Sequence, residues 1–112
     1  MATRGTDGDS DPAELPEAVV DDLLSEDSRR LALSILDERD RAMVVGDLAT
    51  AVVARQRGIP ESTVSDADRE IMRDELFTEH IPKLTATGVV EYDSMLGAVE
   101  LRRRGIVGRG RT

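Results

Sequence analysis

The sequence predicts an α+β fold, mainly helical, in which a compact helical core is followed by a two-stranded β-hairpin. Three observations lead there. Apolar residues recur at helical spacing between Glu17 and Leu84, and the spacing changes to strict alternation after Gly88. The breaks between segments carry turn chemistry at Gly58, Pro60, Gly88 and Gly97.

Pro16 suits a first helical turn, and the run Glu17 to Leu24 places Val20, Leu23 and Leu24 on one face, which predicts a short first helix ended by Ser25. Ser25 is then expected to cap a second helix. Glu26 and Asp27 fall near the positive end of its dipole, and Leu31, Ala32, Ile35 and Leu36 form its apolar stripe. That helix is expected to stop around residues 38–40. Met43, Val44 and Val45 make a brief apolar connector, read as a short strand. Val45, Leu48, Ala49, Val52 and Val53 then repeat with a strong helical period until Gly58 supplies a left-handed stop. Residues 59–64 read as a loop, because Pro60, Ser62 and Thr63 interrupt the pattern.

Ser65 offers an N-cap to a fourth helix, with Asp66 and Asp68 just inside its first turn. Its expected buried stripe is broad: Ala67, Ile71, Met72, Leu76, Phe77, Ile81 and Leu84. Pro82 lacks a backbone donor and crowds the preceding turn, which predicts a kink or break near residues 79–81 and a final turn ending at Gly88. Val90 and Tyr92 then share one face with Glu91 and Asp93 on the other, residues 93–97 turn, and Val99 and Leu101 alternate with Ala98 and Glu100. That is a β-hairpin.

The 112 residues suffice for one small domain with tails. Charge is unevenly spread over it. The whole chain carries 15 basic and 23 acidic residues, a net charge of −8, and only Lys83 among the bases is not Arg. Residues 1–28 hold nine acids and one base, whereas residues 102–112 hold five bases and no acid. Residues 1–16 therefore read as a disordered acidic leader, residues 17–101 as the folded domain, and residues 102–112 as a flexible Arg/Gly-rich tail. An acid excess of this size fits a protein kept soluble in concentrated salt; a merely acidic protein is the plainer reading.

Several function classes drop out. With no Cys and one His, thiolate and imidazole metal clusters and Cys nucleophiles are excluded, and no cofactor or metal is expected. No Gly-rich phosphate loop, nucleophile elbow or Ser–His constellation is present, so no enzyme is expected. His80 reads as a packing or capping residue, since it has no second ligand-type neighbour. Charge-free stretches reach only seven residues, too short to span a bilayer, and the N-terminus lacks an apolar signal region, which places the protein in the cytoplasm.

The element order helix, helix, short strand, helix, loop, helix, hairpin is that of a winged helix-turn-helix, with a helical bundle bearing an appended ribbon as the competing topology. The stretches from His80 to Leu84, Thr87 to Asp93 and Gly97 to Leu101, with Ser28-Arg29-Arg30-Leu31 and Asp47-Leu48-Ala49, resemble a family of small haloarchaeal winged-helix domains of unassigned function. The resemblance runs from about Asp21 to Leu101. It implies a winged helix-turn-helix fold, DNA binding and a role in transcription control. The chain departs from the pattern at Val44, where such domains usually place Ser or Thr as the cap of the third helix.

In that fold the helix after the turn enters the major groove and the wing meets phosphate or the minor groove. Here that helix starts at Ser65, and Arg69 and Arg73, four residues apart, are its candidate DNA contacts. Ser94 and Met95 are the candidates at the wing tip. Arg102, Arg103, Arg104, Arg109 and Arg111 are candidates for a phosphate-following arm without sequence preference. The arm holds no aromatic residue, so stacking on single-stranded bases is not expected. Against a duplex stand six carboxylates in residues 65–80, which leave that segment at a net charge of −4. The bland reading pairs Arg69 and Arg73 with those acids within the helix, and makes the arm a solubilising end or a partner for the leader. The function expected is a salt-adapted DNA-binding transcription regulator acting on double-stranded DNA. The alternative is a protein-interaction or homodimerisation module on the same scaffold, without DNA binding.

Overall fold

Helical segments this short are marginal alone and persist by burying their apolar faces against one another. The computed structural model describes residues 15–103. In chain order the elements are α1 (Glu17–Ser25), α2 (Asp27–Arg39), β1 (Met43–Val44), α3 (Val45–Arg57), a 3₁₀ turn (Glu61–Thr63), α4 (Asp66–Glu75), a π-helical turn (Leu76–His80), α5 (Ile81–Ala86), β2 (Val90–Asp93) and β3 (Ala98–Leu101). The architecture is α+β and winged-helix-like. Of the expected leader and tail only Leu15, Pro16, Arg102 and Arg103 are described; Arg104, Arg109 and Arg111 lie outside the described residues.

The core is shared by every layer. Val20 and Leu23 of α1, Ile35 and Leu36 of α2, Leu48 and Val52 of α3, Met72 and Leu76 around α4, and Val90, Val99 and Leu101 of the hairpin all lie within it. The α2 stripe is wider than its spacing predicts: Leu33 is fully buried, while Leu31 only packs against the core's edge. The reason is that α2 is covered by α1, α3 and β3 at once. Ser25 does not cap α2. It is the last residue of α1, and its hydroxyl donates back to the Asp22 carbonyl at 2.7 Å, leaving Glu26 at the N-cap with no side-chain cap bond. At the other end Asp40 takes the left-handed conformation, φ 52°, and its N–H closes on the Leu36 carbonyl.

The hairpin forms with the expected faces, and its register sets Val90 opposite Leu101 and Tyr92 opposite Val99, with both pairs facing the core. The sheet has three strands rather than two, in the order β1-β3-β2, because Met43 and Val44 pair antiparallel with Val99 and Ala98. The Val45 N–H also donates to the Gly97 carbonyl at 2.9 Å, so the start of α3 is fastened to the wing turn. At Pro82 the fourth helix is irregular, as expected. The disturbance is absorbed one turn earlier, in the π-helical Leu76–His80, after which α5 carries Pro82 in its first turn, where no donor is needed.

A buried polar network joins the helices. Arg29, 4% exposed, donates from Nε to the Leu23 carbonyl at 2.7 Å and from Nη2 to the Asp22 carbonyl at 2.9 Å. Its Nη1 lies 3.2 Å from Nδ1 of His80, whose Nε2 lies 2.8 Å from Glu75 Oε2. Because Arg can only donate, Nδ1 accepts and Nε2 carries the hydrogen that meets the carboxylate. Hydrogen bonds from His80 first, and then from Ser28, hold the Glu75 carboxyl below its ordinary value against the opposing effect of burial.

Candidate nucleic-acid interface

The helix-turn-helix is built from α3, the 3₁₀ turn and α4. Gly58 closes α3 with φ 67°, a conformation costly for any residue with a Cβ, and so turns the chain away. Ser65 caps α4 as its position predicts, its Oγ accepting from the Asp68 N–H at 3.1 Å. Arg57, in the last turn of α3, donates to Asp68 at 2.7 Å across the turn. The Arg57 hydrogen bond, followed by that of Ser65, lowers the Asp68 carboxyl from its ordinary value. Helix dipole, cap and cross-turn pair therefore set α4 on α3.

Met72 and Leu76 are the buried side of this unit. The outward side of α4 carries Ala67, Glu70, Ile71 and Asp74, all exposed. Ile71, expected in the buried stripe, is 66% exposed, and Ala67 is exposed with it. The cause is rotational: Ile71 and Met72 are about 100° apart on a helix, and the side of α4 turned to α3 is the one that bears Met72. Arg69 and Arg73 lie half-buried on the flank between these sides, each reaching back one turn to an acid. Arg69 pairs with Asp66, and Arg73 sits 3.8 Å from Glu70. The Arg73 guanidinium also lies over the Phe77 ring, 5.1 Å from its centroid, and Phe77 meets Tyr92 of β2 edge-on at 5.8 Å. Arg73 is thereby linked to the wing strand through two aromatic rings, a connection the spacing of the arginines does not reveal.

The wing tip is ordered by Asp93. Its Oδ1 accepts the N–H of Met95 at 2.9 Å and of Leu96 at 3.3 Å, while its carbonyl accepts from Gly97, which has φ 65°. Ser94 and Met95 are exposed there, Met95 at 92%. Leu96, 69% exposed, joins them; as a residue of the turn it has no periodicity by which to be found. No hydrogen bond or ion pair among the described residues joins the tip to Arg69 or Arg73. Arg102 and Arg103 are not loose: their N–H groups reach the Val89 carbonyl at 2.8 and 3.3 Å, and Arg102 sits 3.6 Å from Glu91 and 3.8 Å from Glu100. Those two glutamates face each other across the hairpin, so the arginine offsets a like-charge pair.

Among the described residues no group of three or more His, Asp or Glu is placed to hold a metal ion, and no helix is long and apolar enough to cross a membrane. A family model described as a domain of unknown function (DUF7344) matches residues 21–100, the helical core and nearly all of the wing. No curated protein and no solved structure matches the chain.

Proposed function

The chain belongs to the DUF7344 domain family, and from that premise we propose that it is a double-stranded-DNA-binding transcription regulator that works inside a salt-rich cell, of the haloarchaeal kind its sequence resembles. The observation that supports the reading is the placement of α4: seated on α3 with Met72 buried, it leaves its opposite side exposed, and Arg73 on its flank is linked to the wing strand through Phe77 and Tyr92. That is the geometry by which a recognition helix enters the major groove while the wing meets the backbone. Arg69 and Arg73 are the contacts to phosphate or guanine. Their present partners, Asp66 and Glu70, are exposed acids one turn away, and such pairs contribute little, so exchanging them for DNA costs little. Ser94 and Met95 approach from the wing, and the arm from Arg102 to Arg111 follows the phosphates. At molar salt the screening length is about 3 Å, which mutes repulsion by the surrounding carboxylates.

One observation favours a second reading. The outward side of α4 presents Glu70, Asp74 and Ile71 and no base, which suits a partner protein with a basic and apolar surface, or a second copy, better than a polyanion.

Fluorescence anisotropy of labelled genomic duplex fragments in KCl from about 0.1 to 3 M separates the two. The full chain, Arg73→Ala and a chain lacking residues 104–112 are compared. Saturable binding that persists above about 1 M, survives loss of the tail and weakens about tenfold in Arg73→Ala is the expected result for a regulator. Unchanged affinity in Arg73→Ala together with complete loss on removing the tail reduces the interaction to a cationic arm. No binding at any salt selects the protein-partner reading.

A further inference from the structure

The chain has one histidine, and it is 1% exposed between an arginine and a glutamate. We propose that His80 is a proton-sensitive latch: its neutral ring holds Arg29 in place, Arg29 holds α1 on the core, and a second proton on the ring releases α1. The geometry dictates the direction. In the neutral ring Nδ1 accepts from the Arg29 guanidinium at 3.2 Å, and Nε2–H donates to Glu75 at 2.8 Å. The added proton must go to Nδ1, the nitrogen facing Arg29. That removes the acceptor and sets two cations against each other in a buried site.

The groups around the ring decide which partner leaves. From α4, Glu75 attracts the charged ring and is itself held by Ser28 of α2, which in turn accepts from Gln56 of α3 at 3.1 Å. From α2 comes only the repelling Arg29. From α5, Lys83 is the remaining cation, and it is engaged with Asp22 of α1 at 2.8 Å. Glu75 therefore stays with the ring and Arg29 is displaced.

Arg29 is also what fastens α1, because two of its three bonds go to the carbonyls of Asp22 and Leu23 in the last turn of that helix. The helix spans nine residues, too few for a stable isolated helix, and buries only Val20 and Leu23 fully. A further polar tie among the described residues, the Lys83–Asp22 pair, is exposed on both sides and so of small effect. Displacing Arg29 frees this short helix to open locally and uncovers the part of α2 on which it packs.

The test is amide hydrogen exchange of the full chain at about pH 7.5 and 5.5, both above the range in which carboxylates ordinarily take up protons. Protection in Glu17–Ser25 should fall about tenfold or more relative to α3 in the wild type, as expected for loss of a buried hydrogen bond. In His80→Gln the carbonyl accepts from Arg29, the amide donates to Glu75 and no proton can be added, so α1 protection should not respond to pH. An unchanged wild type, or the same response in His80→Gln, overturns the latch. Should that variant not fold, the ¹⁵N shifts of the single imidazole decide. A hydrogen on Nε2 at pH 7.5, with α1 amide signals moving in step with the ring, supports the latch. A hydrogen on Nδ1, or α1 signals that move independently of the ring, overturns it.

Discussion

Val44 marks the start of α3 without a hydroxyl or carboxyl to accept the first-turn N–H groups, and no side-chain cap bond forms there. The backbone, at φ −62° and ψ 143°, already has the conformation a capping residue needs, and the side chain is exposed. Val44→Thr keeps the branched shape that suits β1 while adding an acceptor ahead of the Asp47 N–H. We expect it to stabilise the domain by about 1 kcal/mol in urea unfolding; an unchanged midpoint would mean that pairing with Ala98 prevents the rotamer. Caps show which residue-level features a sequence reveals. Ser65 and Ser25 both precede acids and both look like caps, yet only Ser65 acts as one. Ser25 still lies inside α1, within reach of the Asp22 carbonyl, and a hydroxyl takes the nearer partner. Arg29 and Arg30 are equally indistinct in sequence; only the end of α1 makes one a buried anchor and leaves the other at the surface.

At the scale of the element, α4 carries the clearest difference between pattern and structure. Its sequence offers two overlapping apolar lines, Ala67–Ile71 and Met72–Leu76, and periodicity accepts both. Packing on α3 buries the second and exposes the first. The rotation has unequal consequences. Met72→Ala should cost about 2–4 kcal/mol, the range for truncating a buried Met, whereas Ile71→Ser should change stability by no more than about 0.5 kcal/mol. Denaturant unfolding of the two variants checks the assignment, and losses in the reverse order would mean that α4 is turned the other way. The same rotation places Arg69 and Arg73 on the flank and Glu70 and Asp74 outward, so it also determines which charges a ligand meets first.

For the whole molecule, hydrogen-bonded carboxylates tie stability to acid pH. Glu38 is lowered chiefly by its hydrogen bond to Arg55, Asp22 by Lys83, Asp68 by Arg57 and Glu75 by His80. Each carboxyl is more acidic folded than unfolded, so its contribution is complete above the ordinary values of 4.5 for Glu and 3.8 for Asp and is lost as pH falls through the lower folded values. The melting temperature should therefore fall below about pH 4.5, only slightly through the exposed Glu38, Asp22 and Asp68 pairs and mainly through the partly buried Glu75. Glu75→Gln should melt lower at pH 7 and lose less on acidification than the wild type; a parallel curve would show that Glu75 has no part in the acid transition.

The order of elements, the stop at Gly58, the Ser65 cap, the disturbance at Pro82 and the alternating faces of the hairpin strands were all determined by sequence alone. The physical reason is range: each rests on propensity, capping or alternation within a few residues of the chain. Tertiary structure decided the rest. The pairing of Met43–Val44 with β3 comes from a two-residue strand too short to carry a period. The side of α4 that faces out, the linking of Arg73 to the wing through Phe77 and Tyr92, and the meeting of Arg29 with His80 join residues from different elements. Such contacts depend on how whole faces exclude water together, and no local pattern in the chain encodes that.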